Sequence, residues 1–325
     1  MTVLVVMAHY DVDRVLRDHT LRSVAAYAAA ADRTVLVSTS GLDEASLARL
    51  PEKVELVTRP NYGYDFFSYK WGLDHVVDYP DYDRILIVND SFIGPTVPVE
   101  TIIGSENARS VDLMGMTLSP NHGSHAQSFF FTVGSRLARS HAFRSFWQDM
   151  VPVSDRSQVI MRYEVGLSRM VQEAGFTVGG YLRPTEHEEQ LARRRMLHFG
   201  RVRLHNRRID EVVSEVFWAD DRPRRYNPAV ALADRVLVED RLPLVKFDTL
   251  RYDPYELGAD VLLRQCETAM PETFDGVRDF LRSTRLRYPF REGETNIVTS
   301  PRALREARLG YCMDDAFLAG RGADL

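Results

Sequence analysis

Apolar residues change their spacing several times along the first half of this chain, and each change marks a predicted element. Val3–Met7 is a short β-rich run. From Val12 to Ala31, apolar residues at Val12, Val15, Leu16, Val24 and Tyr27 recur at helical spacing, so the pattern predicts β then α. Arg33–Ser38 and Val54–Thr58 read as the next strands, with a short helix over Asp43–Leu50 ended by Pro51. Tyr64–Val77 reads as helix, and Arg84–Val88 is a continuous apolar run of the kind a strand buried on both faces shows. The alternation predicts an α/β fold with a doubly wound, mostly parallel sheet and the Arg84–Val88 strand near its centre.

Asp112–Thr117 and Ser128–Val133 read as later strands on either side of a polar loop, Ser119–Gln127. Arg139–Met150 resumes helix. A further helix over Tyr163–Ala174 places Val165, Leu167, Met170 and Val171 near one face, begins around Glu164 and stops at Gly175. Beyond about Gly179 the pattern weakens. Glu186–Arg208 is charged and helix-like, Asp220–Pro228 is turn-rich, and the remainder is mixed and mainly helical. The expected division is therefore 1–180 and 181–325.

Composition narrows the class. The 325 residues are 45% hydrophobic and 27% charged, as in a folded soluble domain. No apolar run approaches the roughly 20 residues of a membrane span, and the start lacks the features of a signal peptide. Cys266 and Cys312 give neither a disulfide framework nor a metal knuckle, which suits a cytoplasmic location. A net charge of -5 argues against a nucleic-acid partner.

Open α/β sheets bind ligands beyond the carboxyl ends of their strands, which directs attention to three loops. At Asn89-Asp90-Ser91, a carboxylate held after an apolar strand can bind a divalent cation bridging two phosphates, with neutral oxygen ligands beside it. The same three residues serve equally well as a turn or helix cap. In Asn61-Tyr62-Gly63-Tyr64-Asp65, Gly63 permits close ligand approach and Asp65 can meet ribose hydroxyls or a base edge, although this too is a common way to start a helix. In the third loop, His122 and His125 could position an acceptor or touch a phosphate, or simply face solvent.

Two more residues stand apart. Glu164 could take a proton from an acceptor hydroxyl, or merely offset the dipole of a first helical turn. Lys246, inside the apolar stretch Leu242–Phe247, would suit an anionic partner such as a diphosphate, or snorkel from a strand edge. The arginines between Arg193 and Arg208, with Arg222, Arg224 and Arg225, read as a solvated face. No glycine-rich dinucleotide or P-loop fingerprint, and no nucleophile elbow, follows any of these strands.

Five ordered blocks, Asn61–Asp65, Tyr82–Ser91, His125–Phe130, Tyr163–Ser168 and Leu242–Lys246, together resemble the rhamnan synthesis protein F family over roughly Val3–Pro254. The resemblance implies a GT-A-like glycosyltransferase, rhamnosyltransferase-like, that builds cell-surface polysaccharide, typically rhamnose-containing, from a nucleoside-diphosphate sugar. It implies that Asn61, Gly63 and Asp65 face the nucleotide and that Asn89, Asp90 and Ser91 replace the D-x-D signature. Glu164 would be the base of an inverting transfer, and Lys246 would join the donor site. His122, His125 and Gln127 would serve the acceptor or phosphate.

With one carboxylate where the signature has two, Mg2+ or Mn2+ at Asp90 is an expectation that this departure weakens. The alternative is a non-catalytic GT-A-like subunit that binds a nucleotide sugar or glycan. A lipid-linked glycan acceptor would bring the Arg193–Arg208 segment to an anionic membrane as a peripheral contact.

Overall fold

The computed structural model describes residues 1–206, 226–239, 241–255 and 257–287, with side chains of 197–206 left aside. The chain divides into two compact units. The first comprises Met1–Leu118 and His122–Leu182, and the second Ser119–Asn121 and the chain from Arg183 onward.

The first unit is built on a seven-stranded sheet. Its strands are β1 (Val3–His9), β2 (Arg33–Ser38), β3 (Val54–Thr58), β4 (Arg84–Asn89), β5 (Leu113–Gly115), β6 (Phe130–Gly134) and β7 (Val178–Gly180). They lie in the order β7-β5-β6-β4-β1-β2-β3, so β4 is central as its uninterrupted apolar run predicts. β1 pairs in parallel with β2 and β4, β2 with β3, and β5 with β7. Only β6 runs antiparallel, against both β4 and β5.

Both faces of β1 are buried, which explains why it does not alternate apolar with polar residues. Leu4, Val6 and Ala8 pack in one core with Phe67, Tyr69 and Leu73 of helix α2 (Tyr64–His75). Helix α1 (Asp18–Ala30) buries Val24, Tyr27 and Ala28. Gly72 lets α2 approach the sheet closely, since a Cβ there would collide with the Val6 side chain. Aromatic rings extend the core of α2 outward: Phe66 stacks on Trp147 of helix α3 (His141–Gln148) at 6.0 Å and tilts against Tyr163 at 5.8 Å.

Several elements depart from the pattern-based expectation. The first helix begins at Asp18, not Val12, and Val12 is exposed. Ion pairs from Arg17 to Asp11 and Asp13, at 2.7 and 2.6 Å, close this stretch into a loop, while Leu16 donates its N–H to Ser46 Oγ at 2.8 Å. The predicted strand Ser128–Val133 shifts to Phe130–Gly134. The predicted helix Arg139–Met150 begins after Ser140, which caps α3 by accepting from the Phe143 N–H at 3.1 Å.

The predicted Tyr163–Ala174 helix starts earlier. A helical turn at Arg156–Val159, capped by Asp155, continues into a π-helical turn over Ile160–Glu164 and then into α4 (Val165–Glu173). Glu164 therefore ends a π turn inside a longer helical run and does not open a helix. The dipole role considered for it has no basis, because the N–H groups around it are already inside the helical ladder.

The second unit is mainly helical among its described residues. It contains α5 (Glu186–Asn206), α6 (Phe247–Tyr252), α7 (Ala259–Ala269) and α8 (Val277–Ser283). Arg195 is fully buried and makes two bonds to the Asp234 carboxylate, at 2.8 and 2.6 Å. Arg195 thus belongs to a buried ion pair, not to the solvated face that the local charge pattern suggested. Burying a guanidinium is tolerable only with such a partner. The expected linker from Asp220, with Arg222, Arg224, Arg225, and also Arg208 and Cys312, lies outside the described residues, whereas Cys266 is buried.

Candidate functional site

The carboxyl edge of the sheet is polar where the strands are apolar. β1 ends on His9, β2 on Ser38 and β4 on Asn89, all buried, and β3 is followed by the buried Arg59. His9 Nδ1 lies 3.0 Å from Ser38 Oγ, and burial pushes the imidazole down to about 4 despite the opposing charge of Asp11, so His9 is neutral.

Arg59 organises the loop after β3. Its guanidinium donates to the carbonyls of Pro60, Tyr62 and Tyr64 and to Ser68 Oγ, all between 2.6 and 3.0 Å. It also lies over the rings of Tyr62 and Phe67. Gly63 has φ 73° and sits so close to Phe67 that a Cβ would clash, so this position requires glycine. Tyr64 follows at φ 55°, a left-handed conformation costly for a bulky residue. Asn61, Tyr62, Gly63 and Tyr64 line an open groove of about 540 Å³ with Pro152, Val153 and Ser154.

This loop delivers Asp65 to the first turn of α2, where its carboxylate accepts from Asn89 Nδ2 at 2.7 Å. Two of the three loops singled out by the strand ends are therefore joined. Asn89 Oδ1 accepts from the N–H and hydroxyl of Ser91 at 3.1 and 2.8 Å. Asn89 thus performs the turn-capping role and holds Asp65 at the same time, one through each half of its amide.

Asp90 points the other way, accepting the Tyr10 N–H beyond β1 at 2.9 Å. It keeps partial solvent access but sits within protein on most sides. Burial, reinforced by the like charges of Asp65 and Asp11, pushes its carboxyl up to about 7 against the effect of the Tyr10 N–H.

Glu164 is held quite differently. One oxygen accepts the Ser128 N–H at 2.8 Å and a short bond from the Ser128 hydroxyl, and the other faces His125 Nε2 at 3.4 Å. Burial works to raise this carboxyl, but the His125 and Ser128 hydrogen bonds outweigh it and hold it below the ordinary glutamate range. His125 is buried, with Nδ1 3.0 Å from the Gly123 carbonyl. Since a carbonyl only accepts, Nδ1 carries a proton and donates it, so Nε2 donates to the ionised Glu164 carboxylate only when the ring is the imidazolium.

Tyr69 lies between these groups. It is fully buried, one helical turn after Asp65, and its hydroxyl donates to the Ser128 carbonyl at 2.9 Å. Burial lifts its ionisation well above the ordinary range, and the charges of Asp65, Asp90 and Glu164 each lift it further. The charges of three carboxylates from separate segments thus act on one phenol. Tyr69, Ser128, His9 and Tyr10 were not singled out from the sequence. Helical spacing from Asp65 marks Tyr69, and the end of the first apolar run marks His9 and Tyr10, whereas Ser128 has no local signal.

Gln127 is buried and accepts from the Thr117 hydroxyl at 2.6 Å. His122 is exposed on a left-handed turn, unlike buried His125. Lys246 belongs to the second unit, immediately before α6. As for a metal, the donors at Asp65, Asn89, Asp90 and Ser91 are all oxygens, a hard set suited to Mg2+ or Mn2+. Among the described residues no group of three or more His, Cys, Asp or Glu side chains is arranged to hold an ion.

A family model described as Rhamnan synthesis protein F matches residues 34–218, more than half of the 325-residue chain. Among curated relatives, the uncharacterized protein y4gN of Sinorhizobium fredii is 27% identical over 160 residues, or 47% of this chain and 41% of its own length. Virulence protein VirA of Vibrio anguillarum is 33% identical over 116 residues, or 34% of this chain and 36% of its own length. The chain therefore spans about two fifths of the length of these relatives. A solved structure of glucosyl-3-phosphoglycerate synthase from Mycobacterium tuberculosis, in complex with Mn2+, UDP and phosphoglyceric acid, aligns at 13% identity and a TM-score of 0.29. The match covers 42% of this chain and 56% of that one. A likeness at that level carries no argument about this protein.

Proposed function

Because this chain belongs to the rhamnan synthesis protein F family, we propose that it transfers a sugar from a nucleoside-diphosphate donor to a glycan acceptor at the edge of its sheet. Family membership and the mostly parallel sheet go with a GT-A-like α/β core and support a glycosyltransferase-type activity. Rhamnose as the donor sugar rests on the description of the family alone. The observation that carries the site is the joining of the Asn61–Asp65 loop to Asn89 through the Asp65 carboxylate, with Tyr69 of the same helix bonded to Ser128, which holds Glu164.

In this proposal the loop Asn61–Asp65 receives the nucleoside and Asn89–Ser91 the diphosphate. Glu164, ionised at neutral pH, takes the proton of the acceptor hydroxyl while that oxygen forms a bond to the anomeric carbon. The bond from that carbon to the diphosphate breaks, its electron pair stays on the phosphate oxygen, and the configuration inverts. Ser128 and His125 orient the carboxylate. A divalent ion, where required, would be held by Asp90 with phosphate oxygens and water, since Mg2+ needs only one or two carboxylates, and it would neutralise charge on the leaving diphosphate.

The test is a thermal-shift screen of dTDP-, UDP- and GDP-sugars with and without Mg2+ or Mn2+, followed by transfer assays with the donors that bind. Selective stabilisation by one class of nucleotide sugar, lost in Asp65→Ala, is the expected result. No response to any donor overturns the proposal. Binding without hydrolysis or transfer across glycan acceptors would instead assign a non-catalytic donor-binding subunit.

A further inference from the structure

Within the second unit, a groove of about 630 Å³ runs between α6, α7 and α8. Leu250, Leu263 and Leu281 give it apolar walls, and Arg251, Arg278, Arg282, Arg285 and Asp260 line it as well. Arg251 lies over the rings of Phe247 and Phe280, and exposed Arg282 pairs loosely with Asp279 at 3.8 Å. Asp260 is already bonded to Arg278 at 2.6 Å, and Arg278 also holds Glu267 at 2.8 Å. Excess positive charge in this groove contrasts with the net charge of -5 for the whole chain. On its rim, Leu286 is 94% exposed, next to exposed Arg285.

An exposed leucine beside arginines, above an apolar groove, fits a ligand that joins an anion to hydrocarbon. The volume suits a headgroup-sized ligand. A soluble anion would leave Leu286 and the leucine walls without a role, and a neutral apolar ligand would make no use of the exposed Arg282 and Arg285 guanidinium groups beside them. We propose that this groove docks the second unit on a membrane by taking the phosphate of an anionic phospholipid between Arg282 and Arg285, with Leu286 entering the acyl boundary.

This places membrane contact away from the α5 arginines expected to provide it. There, Arg195 is consumed by Asp234, and Arg193 pairs with Glu189 at 3.2 Å. The inference is independent of the proposed transfer chemistry, which belongs to the first unit.

The experiment is co-sedimentation of the full chain with phosphatidylcholine vesicles, with and without phosphatidylglycerol. Binding only to the anionic vesicles is expected, weakening as salt rises from low to physiological strength and beyond. R282E/R285E should lower the partition coefficient by about tenfold or more, and Leu286→Ser severalfold. R282K/R285K should retain binding, and the melting temperature of each variant reports its folding. Binding that is indifferent to lipid charge, or unchanged in R282E/R285E, overturns the proposal. So does stabilisation by inorganic phosphate alone combined with full vesicle binding by Leu286→Ser, which would make the groove a soluble-anion site.

Discussion

Glu164 and Asp90 are both largely enclosed carboxylates with partial solvent access whose charges act on the same tyrosine, yet their surroundings drive them in opposite directions. Burial pushes each upward. Glu164 meets two donors from Ser128 and an imidazole, which outweigh the burial and keep it ionised. Asp90 has the Tyr10 N–H but also the like charges of Asp65 and Asp11, so its carboxyl rises to about 7. Depth alone therefore does not assign an acid or a base. The count of donors against the count of neighbouring charges does, and two carboxylates pushed apart in this way can serve distinct roles at one pH.

The largest expected break in this contrast is Glu164→Gln. With Glu164 as base, turnover should fall by roughly 10²- to 10⁴-fold while donor-induced stabilisation persists. Transfer rate and thermal shift measured on the same sample check it, and wild-type turnover would remove Glu164 from the chemistry.

Asp90→Asn tests the other corner. Between the unfolded value near 3.8 and the folded value of about 7, the native state holds the Asp90 proton more tightly than the unfolded chain does. Wild-type stability contributed by this group is thus lost as pH rises through that window. The variant should gain on wild type from about pH 4 upward, levelling above about pH 7 at roughly 2 kcal/mol once partial solvent screening is allowed for. Urea unfolding at pH 5 and pH 8 measures the difference. An ion bound at Asp90 would displace this proton, so metal-dependent donor binding should strengthen with pH up to about 7 and vanish in the variant.

His9 sharpens the comparison because its slope is opposite. Its folded value of about 4 lies below the ordinary 6.5, so its contribution is present above 6.5 and lost as pH falls toward 4. His9→Gln should flatten this acid-side loss, by about 2 kcal/mol between pH 6.5 and 4, in unfolding titrations. The smallest effect is expected from Tyr69→Phe. It leaves the Ser128 carbonyl without the phenol and should cost about 1 kcal/mol of stability, with a modest fall in turnover if Ser128 positions Glu164.

Much of the first unit was legible because its information is local. The apolar run at Arg84–Val88 marks a strand buried on both sides, and Asn89–Ser91 follows it as a polar strand end wherever the strand lies in the sheet. Gly63 is likewise forced by its own φ and by Phe67 four residues on. By contrast, the π turn that ends on Glu164 was not legible, because the residue types in Ile160–Glu164 suit a π or an α turn equally.

Chain order and residue type determined the strands, their ends and the carboxylates that stand at or near them, since apolar periodicity and strand length are properties of contiguous residues. Tertiary structure decided which way β6 runs, that Arg195 turns inward to Asp234, and that Ser128 and His125 reach Glu164 while Asp65 adds to the charge on Asp90. Those outcomes depend on groups distant in sequence. Charge and hydrogen-bond energies act through space and are fixed only once packing has set the distances.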